Sequence, residues 1–177
     1  GGYLGDRFGH RRVLLTGIGG FMLVSVLAAS SQNLGQLIAG RAGLGVFAAL
    51  VFPATLAIIT TIFVDARERA MAVGIWAAVS GVAVAIGPVL GGWLLEHFSW
   101  NSVFWALTPP ALMAAVLAYL LVPESRDPGV PALDIRGLIT SIAMLGMLVY
   151  TIIEAPVRGW QSHATVFGFV TTAALAL

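Results

Sequence analysis

Long uncharged apolar stretches alternate with short clusters of polar and charged residues along the chain. Between Val13 and Gly40, for example, no residue is charged, and the polar cluster at residues 30–33 divides that run. A membrane-spanning helix needs about 20 predominantly apolar residues, and the stretches are close to this length. The pattern therefore predicts an all-α membrane protein with five spanning helices and the start of a sixth. The predicted helices cover residues 12–29, 34–63, 70–95, 102–122 and 137–153, and the last begins near residue 165.

The composition supports a membrane protein. Hydrophobic residues make up 59% of the chain and charged residues only 10%, whereas a soluble domain carries about 25% charged residues. All nine basic residues are arginine, and the net charge of +1 gives no argument for binding nucleic acid. The absence of cysteine excludes disulfides and thiolate metal sites, and three scattered histidines predict no metal cluster. No catalytic cluster is visible, so we expect neither an enzyme nor a bound cofactor.

The first fourteen residues form a compact charged segment with four glycines, one acid and three arginines. Glycine permits close backbone approach and positive φ angles, which a tight loop requires. We expect Asp6 to pair with Arg7 or Arg11, or to lie at a helix N-terminus, where the helix dipole favours an anion. The segment therefore predicts a tight loop between two membrane helices.

The spacing of this segment resembles the signature loop of the major facilitator superfamily. The positions that carry the resemblance are Gly2, Leu4, Asp6, Arg7, Gly9, Arg11 and Leu14. Two positions depart from the family pattern, with Gly5 in place of a small alanine and His10 in place of a basic residue. In that family the loop joins helices 2 and 3 on the cytoplasmic side and acts as a conformational switch, the role implied here for Gly2, Asp6, Arg7, Gly9 and Arg11. The resemblance implies a partial major facilitator helix bundle, about five to six helices from the end of helix 2 to the start of helix 8, within a longer protein.

Arginines alternate between successive loops. Residues 1–12, 65–69 and 123–136 contain three, two and two arginines. The polar turns predicted between and after them, at residues 30–33, 96–101 and 154–163, contain none, none and one. Because cytoplasmic loops are enriched in arginine, residues 1–12 are predicted to be cytoplasmic.

An internal repeat points to the same topology. Residues 91–103 match residues 1–13 at five identical positions, with an offset of 90 residues. Three predicted helices separate the two copies, so they should face opposite sides of the membrane. Inverted repeats of three helices are typical of the halves of major facilitator proteins.

Arg41 is the only charged residue deep within an apolar run. A central membrane arginine is energetically costly, so by default it faces a cavity or a partner. Residues 37–45 resemble the family's helix-4 motif, with Leu44 in place of the usual glutamine, and in proton-coupled members this arginine is associated with proton translocation. We expect Arg41 to be buried and required for function; the alternative is an arginine that snorkels to the membrane surface.

Residues 83–94 resemble the helix-5 antiporter motif, through Gly87, Pro88, Gly91 and Gly92. In the family this motif marks exporters that exchange substrate for protons. Small residues at fourfold spacing would let a neighbouring helix approach closely, and the Gly-Pro step would bend the helix.

The short length of the linker at residues 123–136 distinguishes between subfamilies of the resembled family, because its twelve-helix members have a longer loop at this point. Residues 150–160 resemble the end of the first extra helix of the fourteen-helix drug:proton antiporters. We therefore divide the chain into residues 1–122, part of the N-terminal six-helix bundle, the cytoplasmic linker 123–136, and extra helices at 137–177.

The resemblance implies a multi-pass exporter of the bacterial inner membrane, a monomer that expels hydrophobic or cationic drugs in exchange for protons. The proton gradient would be the energy source. No acidic residue lies in the middle of a predicted helix, so the proton-carrying acid is expected elsewhere in the protein. The aromatic candidates for an apolar pocket are Phe47, Phe52, Trp76 and Trp105, although a lipid-facing position is favoured for any one of them. The alternatives are a symporter for a small metabolite and a non-transporting membrane protein.

Overall fold

A computed structural model describes residues 2–125 and 134–176, and within these ranges all regular structure is helical. The helices are α1 (Gly2–Phe8), α2 (His10–Ala29), α3 (Leu34–Ile62), α4 (Ala66–His97), α5 (Ser102–Leu121), α6 (Ile135–Arg158) and α7 (His163–Leu175). Five of them, α2 to α6, are long and apolar enough to cross a membrane. The chain divides into two compact units, Gly1–Val130 and Pro131–Leu177.

Side-chain caps set several helix boundaries. The side chain of Asn33 accepts a hydrogen bond from the backbone N–H of Gln36 and begins α3. Asp65 accepts from the N–H groups of Arg67 and Glu68 and begins α4. The prediction that residues 65–69 form a loop is therefore wrong, because capping by Asp65 starts the helix at Ala66.

Helix α2 is the centre of the first unit, because it packs against both α3 and α5. The main core cluster consists of Val13, Leu14 and Ile18 from α2, Ala54 and Ile58 from α3, and Ala118 from α5. A buried hydrogen bond also joins α2 to α5, since Ser25 Oγ donates to the carbonyl oxygen of Phe104 at 2.8 Å.

Glycines bring α2 and α3 close together. A Cβ atom added at Gly17 would lie 2.8 Å from Cγ2 of Val51 and 3.2 Å from the carbonyl oxygen of Phe47. One added at Gly40, on α3, would lie 2.9 Å from Cβ of Ala28. The sequence pattern did not single out this interface, which is the most extensive one between the described helices of the first unit.

Helix α4 differs from α2 in its exposure. It is the longest helix, continuous through Pro88, and it has no buried residue within the described structure. One contact to α3 is between the rings of Trp76 and Phe52, whose centroids lie 4.7 Å apart with the ring planes tilted by 58°.

The second unit is a hairpin of α6 and α7. Helix α6 runs five residues beyond its predicted end, because Arg158 pairs with Glu154 one turn earlier at 2.7 Å and Gly159, at φ +94°, terminates the helix. Most of the polar turn predicted there is therefore helical, and Glu154 lies inside α6. Gly168 of α7 packs directly on Thr151 of α6.

The predicted linker is partly described. Residues 122–125 and Asp134 are not helical, whereas Ile135 and Arg136 already belong to α6, because Asp134 caps that helix through the N–H of Gly137. Residues 126–133 lie outside the described part of the chain.

The two copies of the sequence repeat occupy equivalent helix junctions. The first copy spans the junction of α1 and α2, and the second spans the junction of α4 and α5. The helices that follow, α2 and α5, are each 20 residues long. Only the first junction contains a glycine with positive φ, which explains why one residue suffices there while residues 98–101 are needed at the second.

Candidate functional site

The first candidate site is the corner between α1 and α2, residues 5–12. Gly9 is the only residue between the two helices, and its φ of +103° makes the turn. Its N–H still donates to the carbonyl oxygen of Gly5 at 2.8 Å. The prediction of a loop at residues 1–12 is wrong for the described residues 2–12, because all of them except Gly9 are helical and Gly9 alone turns the chain.

Asp6 contacts His10 and not an arginine. Oδ1 of Asp6 lies 3.1 Å from Nε2 of His10, the separation of an ion pair when the imidazole is protonated. Arg7 instead donates to the hydroxyl of Tyr3 and lies over the ring of Phe8. The predicted pairing of Asp6 with Arg7 or Arg11 is thus wrong for the described residues, because both guanidinium groups point elsewhere.

The remaining candidate residues of the corner differ in environment. Arg11 donates to the carbonyl oxygen of Tyr119 at the end of α5, and its guanidinium carbon lies 5.0 Å from the centre of that ring. Gly9 is buried. No described atom outside its own helix backbone lies within 4 Å of a Cβ built on Gly2, so the need for glycine there has no explanation in the described contacts.

Two residues after α5 complete the corner, and the sequence pattern did not identify them. The carbonyl oxygen of Ser125 accepts from the backbone N–H of His10 at 2.9 Å and from its Nδ1 at 3.0 Å. Glu124 Oε2 lies 3.4 Å from Nε of Arg12. A polar Glu-Ser pair straight after an apolar helix was the only available signal, and it does not specify a partner more than a hundred residues away.

The second candidate site is a cavity of about 650 Å³ between α3, α4 and the start of α5. Arg41 and Gly91 both line it, so the structure brings the predicted helix-4 and helix-5 motifs to one place. Trp100 and Phe104 form its aromatic wall, and Cζ of Arg41 lies 5.9 Å from the ring centre of Phe104. The prediction that Arg41 is buried is wrong for the described structure, because its side chain faces this open cavity and is exposed.

The rest of the antiporter motif lies on the open surface of α4. Gly87, Pro88 and Gly92 are exposed, and a Cβ atom added at Gly87, Gly91 or Gly92 would have no described neighbour within 4 Å. The expected close approach of another helix at these glycines is therefore absent among the described residues.

A third cavity, of about 600 Å³, is lined almost entirely by apolar side chains of α2, α3 and α5. Phe52 is the only one of the four aromatic candidates that lines it. Phe47 fills the space beside Gly20 at the interface of α2 and α3, and Trp105 is exposed.

Comparison with known proteins gives a family match over the entire chain, since the profile of the Major Facilitator Superfamily covers residues 1–177. The multidrug efflux pump LfrA of Mycolicibacterium smegmatis is 43% identical over 163 residues, which are 92% of this chain and 32% of LfrA. The tetracenomycin C resistance and export protein of Streptomyces glaucescens is 35% identical over 99% of the chain and 32% of its own length.

The methyl viologen resistance protein SmvA of Salmonella typhimurium is 39% identical over 176 residues, which cover 99% of this chain and 35% of SmvA. The chain thus spans about a third of the length of these relatives. Its apolar helices, its repeated helix junction and the family match over every residue lead to one conclusion: the chain belongs to the major facilitator superfamily of integral membrane transporters.

Proposed function

We propose that this chain is part of a bacterial inner-membrane exporter that expels hydrophobic or cationic drugs in exchange for protons. It would act by alternating access, in which two helix bundles rock around a central site. Relatives named for multidrug efflux, for tetracenomycin C export and for methyl viologen resistance each match nearly the whole chain, which supports drug export as the activity. The functional unit would be a monomer.

The observation that carries the antiport mechanism is the shared cavity of Arg41 and Gly91. A guanidinium group within an apolar membrane helix is costly unless it faces a partner or a cavity, and Arg41 faces a cavity. Gly91 has no side chain to fill the cavity, so the space beside Arg41 stays open. We infer that Arg41 responds there to the charge of a proton-carrying acid in another part of the protein.

The test uses the full-length protein in a host that lacks its own drug pumps. Arg41→Ala should abolish efflux of methyl viologen or ethidium driven by an imposed proton gradient, while the amount of protein in the membrane stays the same. Arg41→Lys keeps the charge but loses the planar, multidentate guanidinium, so partial activity is expected. Arg69→Ala, which removes an exposed arginine from the first turn of α4, is the matched control and should transport normally.

The outcomes separate the possible functions. Normal efflux by Arg41→Ala would reject its role in proton coupling. Uptake of a metabolite together with protons, with no drug efflux by the unmodified protein, would indicate a symporter. No proton-dependent movement of any tested compound would reject the exporter.

A further inference from the structure

The N-terminus of α2 is capped by a distant part of the chain. A helix begins with four backbone N–H groups that lack partners within the helix. Gly9 occupies the capping position and has no side chain to offer, and no side chain in the described part of the chain caps this end. The carbonyl oxygen of Ser125 accepts the N–H of His10 instead, so residues 122–125, which we term the strap, supply the cap.

The same carbonyl oxygen also fixes the ring of His10. Nδ1 of His10 lies 3.0 Å from the carbonyl oxygen of Ser125 and 3.3 Å from its hydroxyl. Because a carbonyl oxygen can only accept, the bond to the carbonyl requires the tautomer in which Nδ1 carries the hydrogen. The residue is almost fully enclosed, with 5% of its surface exposed. Its Nε2 lies 3.1 Å from Oδ1 of Asp6 but makes no hydrogen bond within the described structure, so the ring is bonded to the strap and packs beside Asp6.

Two glycines make room for this arrangement. A Cβ atom on Gly5 would lie 2.6 Å from Cδ2 of His10, and a Cβ atom on Gly9 would overlap the carboxyl group of Glu124. The two positions at which the signature segment departs from the family pattern, Gly5 and His10, are therefore in direct contact. The small residue and the ring fit one another as a pair.

The other charged groups around the ring play a lesser part. Glu124 pairs with Arg12 at 3.4 Å, but the arginine side chain is 68% exposed, and an exposed ion pair contributes little. Arg11 binds the end of α5 through Tyr119, and Arg7 faces Tyr3. Helix α5 has no charged residue, and the only one in α3, Arg41, lies near that helix's other end.

We propose that His10 is a positioning residue that fastens the corner to the strap and thereby holds Asp6 in place. The buried contact of Nδ1 with the carbonyl oxygen of Ser125 carries this role, and Gly5 and Glu124 shape the space around it. The consequence for transport rests on the proposed exporter function, in which the segment that contains Asp6 acts as the conformational switch. The contact between His10 and Ser125 is itself a property of the fold, so it can be tested without measuring transport.

Two substitutions separate the two ring nitrogens. The amide nitrogen of asparagine lies close to the position of Nδ1, so His10→Asn can keep the bond to Ser125. The amide nitrogen of glutamine lies close to the position of Nε2, so His10→Gln keeps a group near Asp6 but loses the bond to the strap. The two variants therefore differ at the proposed contact while both remove the imidazole.

The experiment uses the full-length protein with any other cysteines removed, and Ser125→Cys as the label site. The described segment has no cysteine of its own, and Ser125 is only partly exposed. In purified protein, His10→Gln should raise the rate of maleimide labelling at residue 125 by about fivefold, the effect of losing one modest interaction, whereas His10→Asn should leave it unchanged. His97→Gln, at an exposed histidine of α4, is the control and should also leave it unchanged.

Efflux measured on the same variants tests the consequence. His10→Gln should lower the maximal efflux rate without changing the drug concentration that gives half-maximal efflux, and His10→Asn should restore the rate. Equal labelling of the Gln and Asn variants would reject the fastening. Faster labelling with normal efflux would reject the positioning role, and a wild-type protein that exports nothing would reject the proposed function while the labelling still decides the fastening.

Discussion

Gly5 and His10 share a space that holds either a side chain at residue 5 or a ring at residue 10. Gly5 lies in the last turns of α1, and His10 is the first residue of α2. Since Gly9 turns the chain between them, the ring folds back onto Gly5. The environment of each residue therefore depends on the identity of the other.

This dependence predicts a compensating pair of substitutions. Gly5→Ala should destabilise the full-length protein by about 1–3 kcal/mol, because the added methyl group overpacks the enclosed ring. Adding His10→Arg should recover most of this loss, since a flexible arginine can leave the space and still donate to Ser125. Thermal unfolding of the purified variants would measure both effects, and a double variant that is no more stable than Gly5→Ala would contradict the shared-space explanation.

Among the described helices of the first unit, α2 and α3 share the most extensive interface, and glycines on both partners bring them close together. Between helices in a bilayer, association depends on close packing rather than on exclusion of water, so small residues at the contact matter most. Gly17 faces Val51 and the backbone of Phe47, whereas a Cβ atom on Gly19, two residues later on the same helix, would meet no described atom within 4 Å.

These two glycines give a matched test of the interface. Gly17→Ala should lower the stability of the full-length protein by about 1–3 kcal/mol, because α2 and α3 must separate to admit the methyl group. Gly19→Ala should be neutral or stabilising, because alanine favours a helix by about 1 kcal/mol over glycine. The melting temperatures of the two variants should therefore shift in opposite directions or by clearly different amounts; equal losses would contradict the assigned interface.

At the scale of the whole chain, the main question is on which side of the membrane each helix junction lies. Three helices, α2, α3 and α4, separate the α1–α2 junction from the α4–α5 junction, and each is long enough to span a bilayer. An odd number of crossings places the two junctions on opposite sides. The arginines of the first junction predict that this junction lies in the cytoplasm.

Cysteine labelling in intact cells would test this orientation. Gly9 is unsuitable as a label site, because it is buried and has positive φ, but Phe8 beside it is 54% exposed. A membrane-impermeant maleimide should label Ser99→Cys and spare Phe8→Cys in intact cells. Permeabilised cells, the control for accessibility, should label both. Labelling of both sites from outside, or the reverse pattern, would refute the helix count or the orientation.

The apolar stretches of the sequence determined the number and approximate position of the spanning helices, because length and hydropathy are local properties. The spacing of the first fourteen residues was also sufficient to predict the family, which the match over the whole chain confirms. Helix ends were less predictable. The charged residues at 67–69 and 154–158 predicted loops but lie in helices. The cap at Asp65 starts α4 before the first group, and the pair of Glu154 with Arg158 lies within the last turn of α6.

Only the tertiary structure decided which residues meet. A helix in a bilayer is apolar on the faces that touch lipid and on the faces that touch protein, so hydropathy does not distinguish them. This is why the glycines of α4 predicted a close helix contact that the described residues lack, whereas Gly17 and Gly40 form one that the pattern did not indicate. The partner of His10 and the cavity at Arg41 were undetermined for a related reason. A polar or charged side chain in the sequence shows that a partner or cavity is needed, but its identity depends on how distant segments of the chain are placed.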